Sequence, residues 1–198
     1  MYNASPSLFP FLRDAKPERA STFDFGVRTQ RAGLEGSLTL YHVRYRNRLI
    51  GISLCPPTVT CATGLGNVGS VTTAGAESLL ATELAPGLRW LNSASYNAST
   101  FDNDYLADQS DPSSIVHTAD KDVPDAPRWI LSSTLEYTRG RASASLTGRH
   151  VAKRYFTYTN GPDDQDDGRG FVPAYTLVDA APATGSTASD RSRGSPSS

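Results

Sequence analysis

STFDFGVRTQ, Ser21 to Gln30, sets Phe23, Phe25, Val27 and Thr29 on one side of an extended chain and Asp24, Gly26, Arg28 and Gln30 on the other, because a strand repeats every two residues. Three turn residues follow, Arg31 to Gly33. LEGSLTLYHVRYRNRL, Leu34 to Leu49, then reads as a strand running back into a polar loop. The rhythm of short turn and long loop recurs twice more. Strands of about ten residues, apolar on one face and polar on the other, with tight turns at one end and long loops at the other, are the pattern of a transmembrane β-barrel wall. A soluble meander has no reason to sort its loops by length in this way.

Working outward, the sequence predicts seven strands, at about 21–30, 34–46, 67–84, 88–101, 128–138, 142–157 and 172–180, from aromatic, Val, Leu and Thr enrichment between turn residues. The short turns are Arg31-Ala32-Gly33, Ala85-Pro86-Gly87 and Arg139-Gly140-Arg141, where Gly supplies the sign of φ and Pro presets it. Long connections fall near 47–66, 102–127 and 158–171. In PRWILSSTLEYTRG, Trp129, Leu131, Ser133, Leu135 and Tyr137 share one face, with Trp129 and Tyr137 near opposite ends, where interfacial aromatic girdles belong. Phe23, Phe25, Val27, Trp129, Leu131 and Leu135 are expected on the lipid face, and Asp24, Arg28 and Glu136 on the other. Strand 34–46 is ambiguous: its apolar set moves from Leu38 and Leu40 to Tyr41, Val43 and Tyr45, which requires either a β-bulge or a mixed face.

The totals exclude more than they identify. The chain has 198 residues and a formal net charge of −1, which offers no field for nucleic acid. No stretch approaches the roughly 18 apolar residues of a spanning helix, whereas barrel strands need only about 9–11 tilted residues. A mean hydropathy of −0.38 therefore argues nothing against a membrane. The opening MYNASPSLFPFLRDAKPE has neither the basic nor the apolar region of a secretory signal. At the other end, Ala181 to Ser198 carries no aromatic residue and no aliphatic one larger than Ala, and is expected to be a disordered low-complexity tail.

Sharper motifs weaken in context. Gly64-Leu65-Gly66-Asn67-Val68-Gly69 spells G-x-G-x-x-G with Glu83 downstream, but a Pro/Cys/Thr loop precedes it and a β-branched run follows, where a dinucleotide site needs a strand before and a helix after. A loop-to-strand entry is the expected role. Asp163 to Gly168, DDQDDG, invites a divalent cation but lacks EF-hand spacing, with Tyr175 at the twelfth position from Asp164; a solvated loop tip is the expectation. Cys55 and Cys61 leave open a small disulfide at a loop base or two free thiols, and supply too few ligands for zinc. His42, His117 and His150 are scattered, with no nucleophile elbow nearby. Asn3-Ala4-Ser5 and Asn97-Ala98-Ser99 match the glycosylation sequon, a match that would be chance in a bacterial outer-membrane protein. Lys16, Arg28, Arg44, Arg46, Arg48, Arg149, Lys153 and Arg154 stand near strand ends or on a polar face. Charge ladders with Asp24, Glu35 and Glu136 are expected ahead of anion binding. The sequence nominates no catalytic, cofactor-binding or metal-binding residue.

Lys16-Pro17-Glu18 before STFDFGVR, then SLTLYHVRYRNRLIGIS, NVGSVTTAGAE, VPDAPRWILSSTLEY and VPAYTLVDA, in that order, resemble the C-terminal barrel half of a TonB-dependent outer-membrane receptor over roughly residues 14 to 180. The resemblance implies an all-β fold: an antiparallel meander over 1–180 forming a sector of a barrel of about 22 strands, open in this fragment, followed by the tail 181–198. It also implies a non-enzymatic receptor in the outer membrane of a Gram-negative bacterium. The partners of the full-length parent would be a nutrient ligand, a ferric siderophore or ferric citrate foremost, the TonB complex, and outer-membrane lipid. Loop- or lumen-facing Arg would meet an anionic ligand. Against that pattern, the signal peptide, TonB box, plug, most of the barrel and the terminal aromatic strand are missing, so a frameshifted or truncated product is the expectation. The rivals are a soluble β-rich module such as a lectin-like sandwich, and a dinucleotide-dependent enzyme, which needs helices.

Overall fold

A computed structural model of the chain describes residues 16–53, 63–67, 69–106, 113–162 and 169–184. The described residues hold thirteen strands and no helix: β1 (Arg19–Arg31), β2 (Leu34–Arg46), β3 (Leu49–Ser53), β4 (Thr63–Asn67), β5 (Val71–Ala85), β6 (Leu88–Phe101), β7 (Tyr105–Leu106), β8 (Ile115–Val116), β9 (Trp129–Arg139), β10 (Ala142–Val151), β11 (Arg154–Tyr155), β12 (Phe171–Val172) and β13 (Tyr175–Thr184). Seven long strands make one antiparallel sheet in the order β1-β2-β5-β6-β9-β10-β13. Each lies beside the next long strand of the chain, so the sheet is a meander, and it does not close on itself. No second sheet covers either face among the described residues, as a sandwich would require.

Two-residue turns join the strands at one end. Gly33, Gly87 and Gly140 take φ of 72°, 78° and 61° there, the left-handed region open to glycine. The turns are laced to their neighbours: Glu83 N–H donates to Gly33 O at 2.9 Å and Thr138 N–H to Gly87 O at 2.7 Å. A Cβ on Gly87 would collide with the Thr138 carbonyl. Just before that turn the β5–β6 ladder shifts register between Glu83 and Ala85, a bulge of the kind that sharpens twist at a sheet's rim.

Long connections gather at the opposite end, and each folds a small hairpin of its own: β3 with β4, β7 with β8, β11 with β12. These hairpins move three expected boundaries. The strand expected from 67 starts at Val71, because Asn67 completes the β4 ladder and Gly69 turns at φ 88°. The strand expected to run to 157 leaves the sheet after Val151, and Arg154–Tyr155 pair with Phe171–Val172 instead. The last strand is accordingly Tyr175–Thr184, which claims Ala181–Thr184 from the expected tail. A backbone ladder needs no large side chain, and Pro182 is tolerated because β13 pairs on one side only. The rest of the expected tail, Cys55, Cys61 and Asp163 to Gly168 lie outside the described residues.

Directly opposed residues of an antiparallel pair share a face, so the ladders carry one choice of face across the whole sheet. Phe23, Phe25 and Val27 oppose His42, Leu40 and Leu38; Leu40 and Leu38 oppose Ala76 and Ser78. Those two meet Tyr96 and Ala94, which meet Trp129 and Leu131, while Trp90 opposes Leu135. All six residues expected toward lipid therefore lie on one face, with Asp24, Arg28 and Glu136 on the other. That apolar face is open: Phe23 is 70% exposed and Phe25 58%.

The opposite face is sheltered at the loop end, where Val71 and Phe101 are buried against Tyr45, Tyr105, Val123 and Tyr158. This resolves the ambiguity of strand 34–46. Its ladders to β1 and β5 run without a shift, so Tyr41, Val43 and Tyr45 simply occupy the sheltered face, where Tyr45 joins a small core of its own.

Two glycines in the ladders separate crowding from backbone freedom. A Cβ at Gly75 would meet the Tyr41 ring and the Tyr96 carbonyl, whereas one at Gly148 would find nothing within 4 Å. Gly75→Ala is expected to lower stability by about 1–3 kcal/mol, and Gly148→Ala to raise it by about 0.5–1 kcal/mol. Urea midpoints of the detergent-refolded variants, followed by tryptophan fluorescence, check both signs.

Candidate functional site

The sheltered face changes chemistry in layers from turns to loops. Nearest the turns, Arg89 is opposed by Glu83 on one side and Glu136 on the other, and its guanidinium lies 3.8 Å from Glu35. These residues, with Ala81 and Thr138, line a hollow of about 570 Å³. Both partners of the Arg89–Glu35 pair are about half exposed, so it contributes little stability. Among the described residues no group of three His, Cys, Asp or Glu is arranged to hold a metal ion.

The middle of the wall is hydroxyl-rich and internally satisfied. Thr73 Oγ1 and Ser99 Oγ are 2.7 Å apart, and Thr134 Oγ1 and Thr147 Oγ1 3.0 Å. Tyr41 lays its ring over Gly75, where the missing side chain leaves room, and donates to Asn97 Oδ1 at 3.2 Å.

At the loop end a platform is built on the buried ring of Phe101, which meets Tyr158 edge-on with centroids 6.2 Å apart. Asn160 clamps two connections together: its Oδ1 accepts from Asp122 N–H at 2.6 Å and its Nδ2 donates to Asp122 O at 2.8 Å. Asp122 also pairs with Arg128 at 2.7 Å, and Asp125 with Arg154. Asp104 accepts from Thr118 and Ala119 N–H, both at 2.8 Å, and contacts His117 Nδ1 at 2.9 Å. These bonds, that to Ala119 foremost and then that to His117, hold its carboxyl below the usual carboxylate range. Lys153 Nζ sits 4.8 Å from the Tyr155 ring centroid and 5.4 Å from that of Phe171, a cation held against two aromatic rings.

Charge is sorted between the faces. By register, the carboxylates of the seven-stranded sheet, Asp24, Glu35, Glu77, Glu83, Glu136 and Asp179, all lie on the sheltered face, together with Arg28, Arg89 and Arg149. The open face carries Arg19, Arg31, Arg44, Arg46 and Arg139 near strand ends, and no carboxylate within those strands.

The expected basic residues disperse rather than converge. Arg48 pairs with Glu18, Arg44 with Asp102 and Arg154 with Asp125, so the expected ladders with Asp24, Glu35 and Glu136 do not form from this set. The residue opposite Glu136 by register and 3.8 Å from Glu35 is Arg89, which stood outside the expected set. Lys16 is tied by its main chain, through Asn67. His42 and His150 fall on the open face, opposing Phe23 and Leu131, and His117 stands alone with Asp104 in a loop. The G-x-G-x-x-G run enters as β4 and leads into β5, with no helix after it among the described residues. Asp104 and Asn160 were illegible as a clamp, since the groups they bind are distant in sequence.

Comparison with known proteins agrees with this geometry. The family described as TonB dependent receptor-like, beta-barrel, matches residues 2–185. No curated protein matches by sequence. Among solved structures, the ferric citrate transporter FecA in the unliganded form is similar at 16% identity and a TM-score of 0.67, over 88% of this chain and 25% of that one. The ferric yersiniabactin uptake receptor FyuA from Yersinia pestis is similar at 16% and 0.60, over 82% and 22%. The copper transporter OprC is similar at 18% and 0.60, over 83% and 23%. The chain thus spans about a quarter of the length of the solved structures it matches, and at these identities the likeness is one of fold.

The loop platform gives a titratable prediction. Because the Asp104 carboxyl is held below its unfolded value, its contribution is complete above the unfolded pKa and is lost as pH falls through the lowered folded value. Asp104→Ala is expected to speed amide hydrogen exchange at Thr118 and Ala119 at neutral pH, and the difference from the parent chain to vanish in strong acid. Site-resolved exchange measures both.

Proposed function

The chain belongs to the TonB-dependent receptor-like β-barrel family, and from that premise we propose that it is a wall sector of an outer-membrane receptor that takes up a scarce nutrient, a ferric chelate of the siderophore class foremost. The observation that carries this reading is the sorting of charge: every carboxylate of the seven-stranded sheet lies on the sheltered face, and the opposite face is a belt of Phe, Leu, Val and Trp. Such a sheet is stable when one face meets lipid and the other a polar lumen. The whole receptor would act with the TonB complex at the inner membrane, and lipid would be the partner of this chain's own surface.

Within the lumen, six strand carboxylates against three guanidiniums give this wall no attraction for an anion. Recognition of an anionic chelate therefore falls to the loop end, where Tyr105 and Tyr158 pack on the Phe101 core, Tyr155 meets Phe171 edge-on, and Lys153 lies over the latter two rings. Aromatic faces with a cation among them suit a flat, negatively charged metal chelate. The polar wall beneath supplies hydroxyls that hold water and do not grip, which suits passage. The iron and copper carriers among the similar structures are consistent with a metal-bearing cargo of this kind.

Both Trp residues of the chain, Trp90 and Trp129, lie on the belt face, one toward each end. Tryptophan emission therefore reports on that face alone. On vesicles to which the chain adsorbs by that face, which needs no closed barrel, lipids brominated near the headgroup are expected to quench it more than lipids brominated mid-chain; no quenching by either would overturn the membrane reading.

Competence is a separate matter. β1 and β13 each pair on one side, and each unpaired backbone group in hydrocarbon costs several kcal/mol, roughly. With a signal sequence attached, this 198-residue chain is expected to yield no heat-modifiable, protease-resistant membrane species and no uptake of ferric chelate. Recovery of either shows closure by self-association.

A further inference from the structure

We propose that Asn160-Gly161 is a self-modifying switch in the loop platform: loss of the Asn160 side-chain amide as ammonia irreversibly opens the clamp that joins the β8–β9 connection to the β11–β12 connection. The inference is independent of cargo and of lipid. Asn160 is the one asparagine of the chain followed by glycine, and a residue without Cβ leaves its main-chain nitrogen open to attack the side chain before it. In the reaction the Gly161 nitrogen bonds to Asn160 Cγ, the Cγ–Nδ2 bond breaks, and Nδ2 leaves as ammonia with the proton that the nitrogen gives up. Water then opens the cyclic imide at either carbonyl, leaving a carboxylate at 160 on the ordinary main chain or on a chain lengthened by a methylene. Amide and water go in, carboxylate and ammonium come out, and nothing is oxidised or reduced.

The folded clamp occupies both ends of the amide. Oδ1 accepts from Asp122 N–H at 2.6 Å, and Nδ2 donates to Asp122 O at 2.8 Å and to Thr157 O at 3.3 Å. The main chain at Asn160 sits at φ 56°, a left-handed conformation that asparagine tolerates when its side chain bonds locally. Attack needs the side chain to turn back on its own main chain, and three bonds to other residues oppose that turn. The chemistry therefore waits on local opening of the clamp.

The product cannot remake what it lost. A carboxylate only accepts hydrogen bonds, so where Nδ2 donated, a charged oxygen would face the Asp122 and Thr157 carbonyls. A lengthened main chain would also displace Gly161, whose carbonyl accepts from Thr157 Oγ1 at 3.0 Å. Both connections rest on the same ring: Asp122 bridges to Thr100, next to Phe101 in the chain, and Tyr158 meets Phe101 edge-on. Exchange of a single side-chain group thus frees the two connections from each other at the aromatic core.

The test follows, by mass spectrometry, the peptide spanning Asn160 while the full chain ages at neutral pH, either refolded in detergent or unfolded in urea. Three hydrogen bonds of ordinary net strength are expected to slow the refolded chain roughly a hundredfold relative to the unfolded one, with the acid and its isoaspartyl isomer as products. Gly161→Ala keeps the clamp, since a Cβ there makes only ordinary contact with Thr159; it is expected to lose most of the conversion while keeping slow amide exchange at Asp122. Arg128→Gln, which frees the Asp122 carboxylate that Arg128 holds at 2.7 Å, is expected to bring the refolded rate toward the unfolded one. Asn160→Asp, the product made directly, is expected to speed exchange at the Asp122 amide about tenfold, and it decides the case should the Arg128 variant lose its β-sheet circular dichroism. Equal rates in refolded and unfolded chain, undiminished conversion in G161A, or an Asp122 amide as protected in N160D as in the parent overturns the proposal.

Discussion

The register of one antiparallel ladder governs everything else in this molecule. From β1 to β13 each strand inherits its face from its neighbour, and a slip of one residue at any ladder would turn every later side chain over. The tight turns hold that register. Gly33, Gly87 and Gly140 close the hairpins in conformations that few other residues adopt, and the hydrogen bonds from Glu83 to Gly33 and from Thr138 to Gly87 lock successive hairpins together. Because the ladders hold, an apolar belt and a polar wall emerge from sequences that are only alternating.

This fold has little interior of its own. Its buried apolar residues among those described are Val71, Ala81, Phe101 and Val151, far fewer than a soluble domain of this length needs to offset its conformational entropy. On the proposed reading, the compensation would come from outside the chain, through lipid against the belt and further strands at the edges. Geometry constrains those strands. β1 and β13 both run from loops to turns, so antiparallel closure needs an odd number of additional strands, which makes the whole barrel even-numbered. Identical copies facing the same way would meet edge to edge in parallel.

The loop end obeys different rules from the wall. There the sheltered face is aromatic rather than hydroxylic, and two connections are riveted by Asn160, Asp104 and the pairs of Arg128 and Arg154 with their aspartates. Such polar bonds order a surface that has to stay exposed. The same end carries Arg19, Arg44 and Arg46 on the belt face, so a single rim presents the aromatic core on one side and guanidiniums on the other. Cargo and lipid would be met by opposite sides of one set of strands.

Alternation and turn chemistry let the sequence by itself determine the class, the seven-strand count, the side each belt residue takes, and the segregation of short turns from long loops, because these depend on neighbours within a few positions. Phe23 to Val27 and Trp129 to Tyr137 could be oriented with no knowledge of their partners. What only the tertiary structure decided were the relations between distant residues. The loop hairpins shortened the strands expected at 67–84 and 142–157, and pairing with β10 drew Ala181–Thr184 into the sheet although nothing in their side chains asks for it. Tyr41, Val43 and Tyr45 looked like a slipped strand until Phe101 and Val71 supplied a core on their side. Arg89 found Glu35 and Glu136, and Arg19 was set against Arg46, through ladders spanning residues far apart in the chain. Periodicity is a local property of a strand; register is a property of pairs of strands, and only the folded sheet contains those pairs.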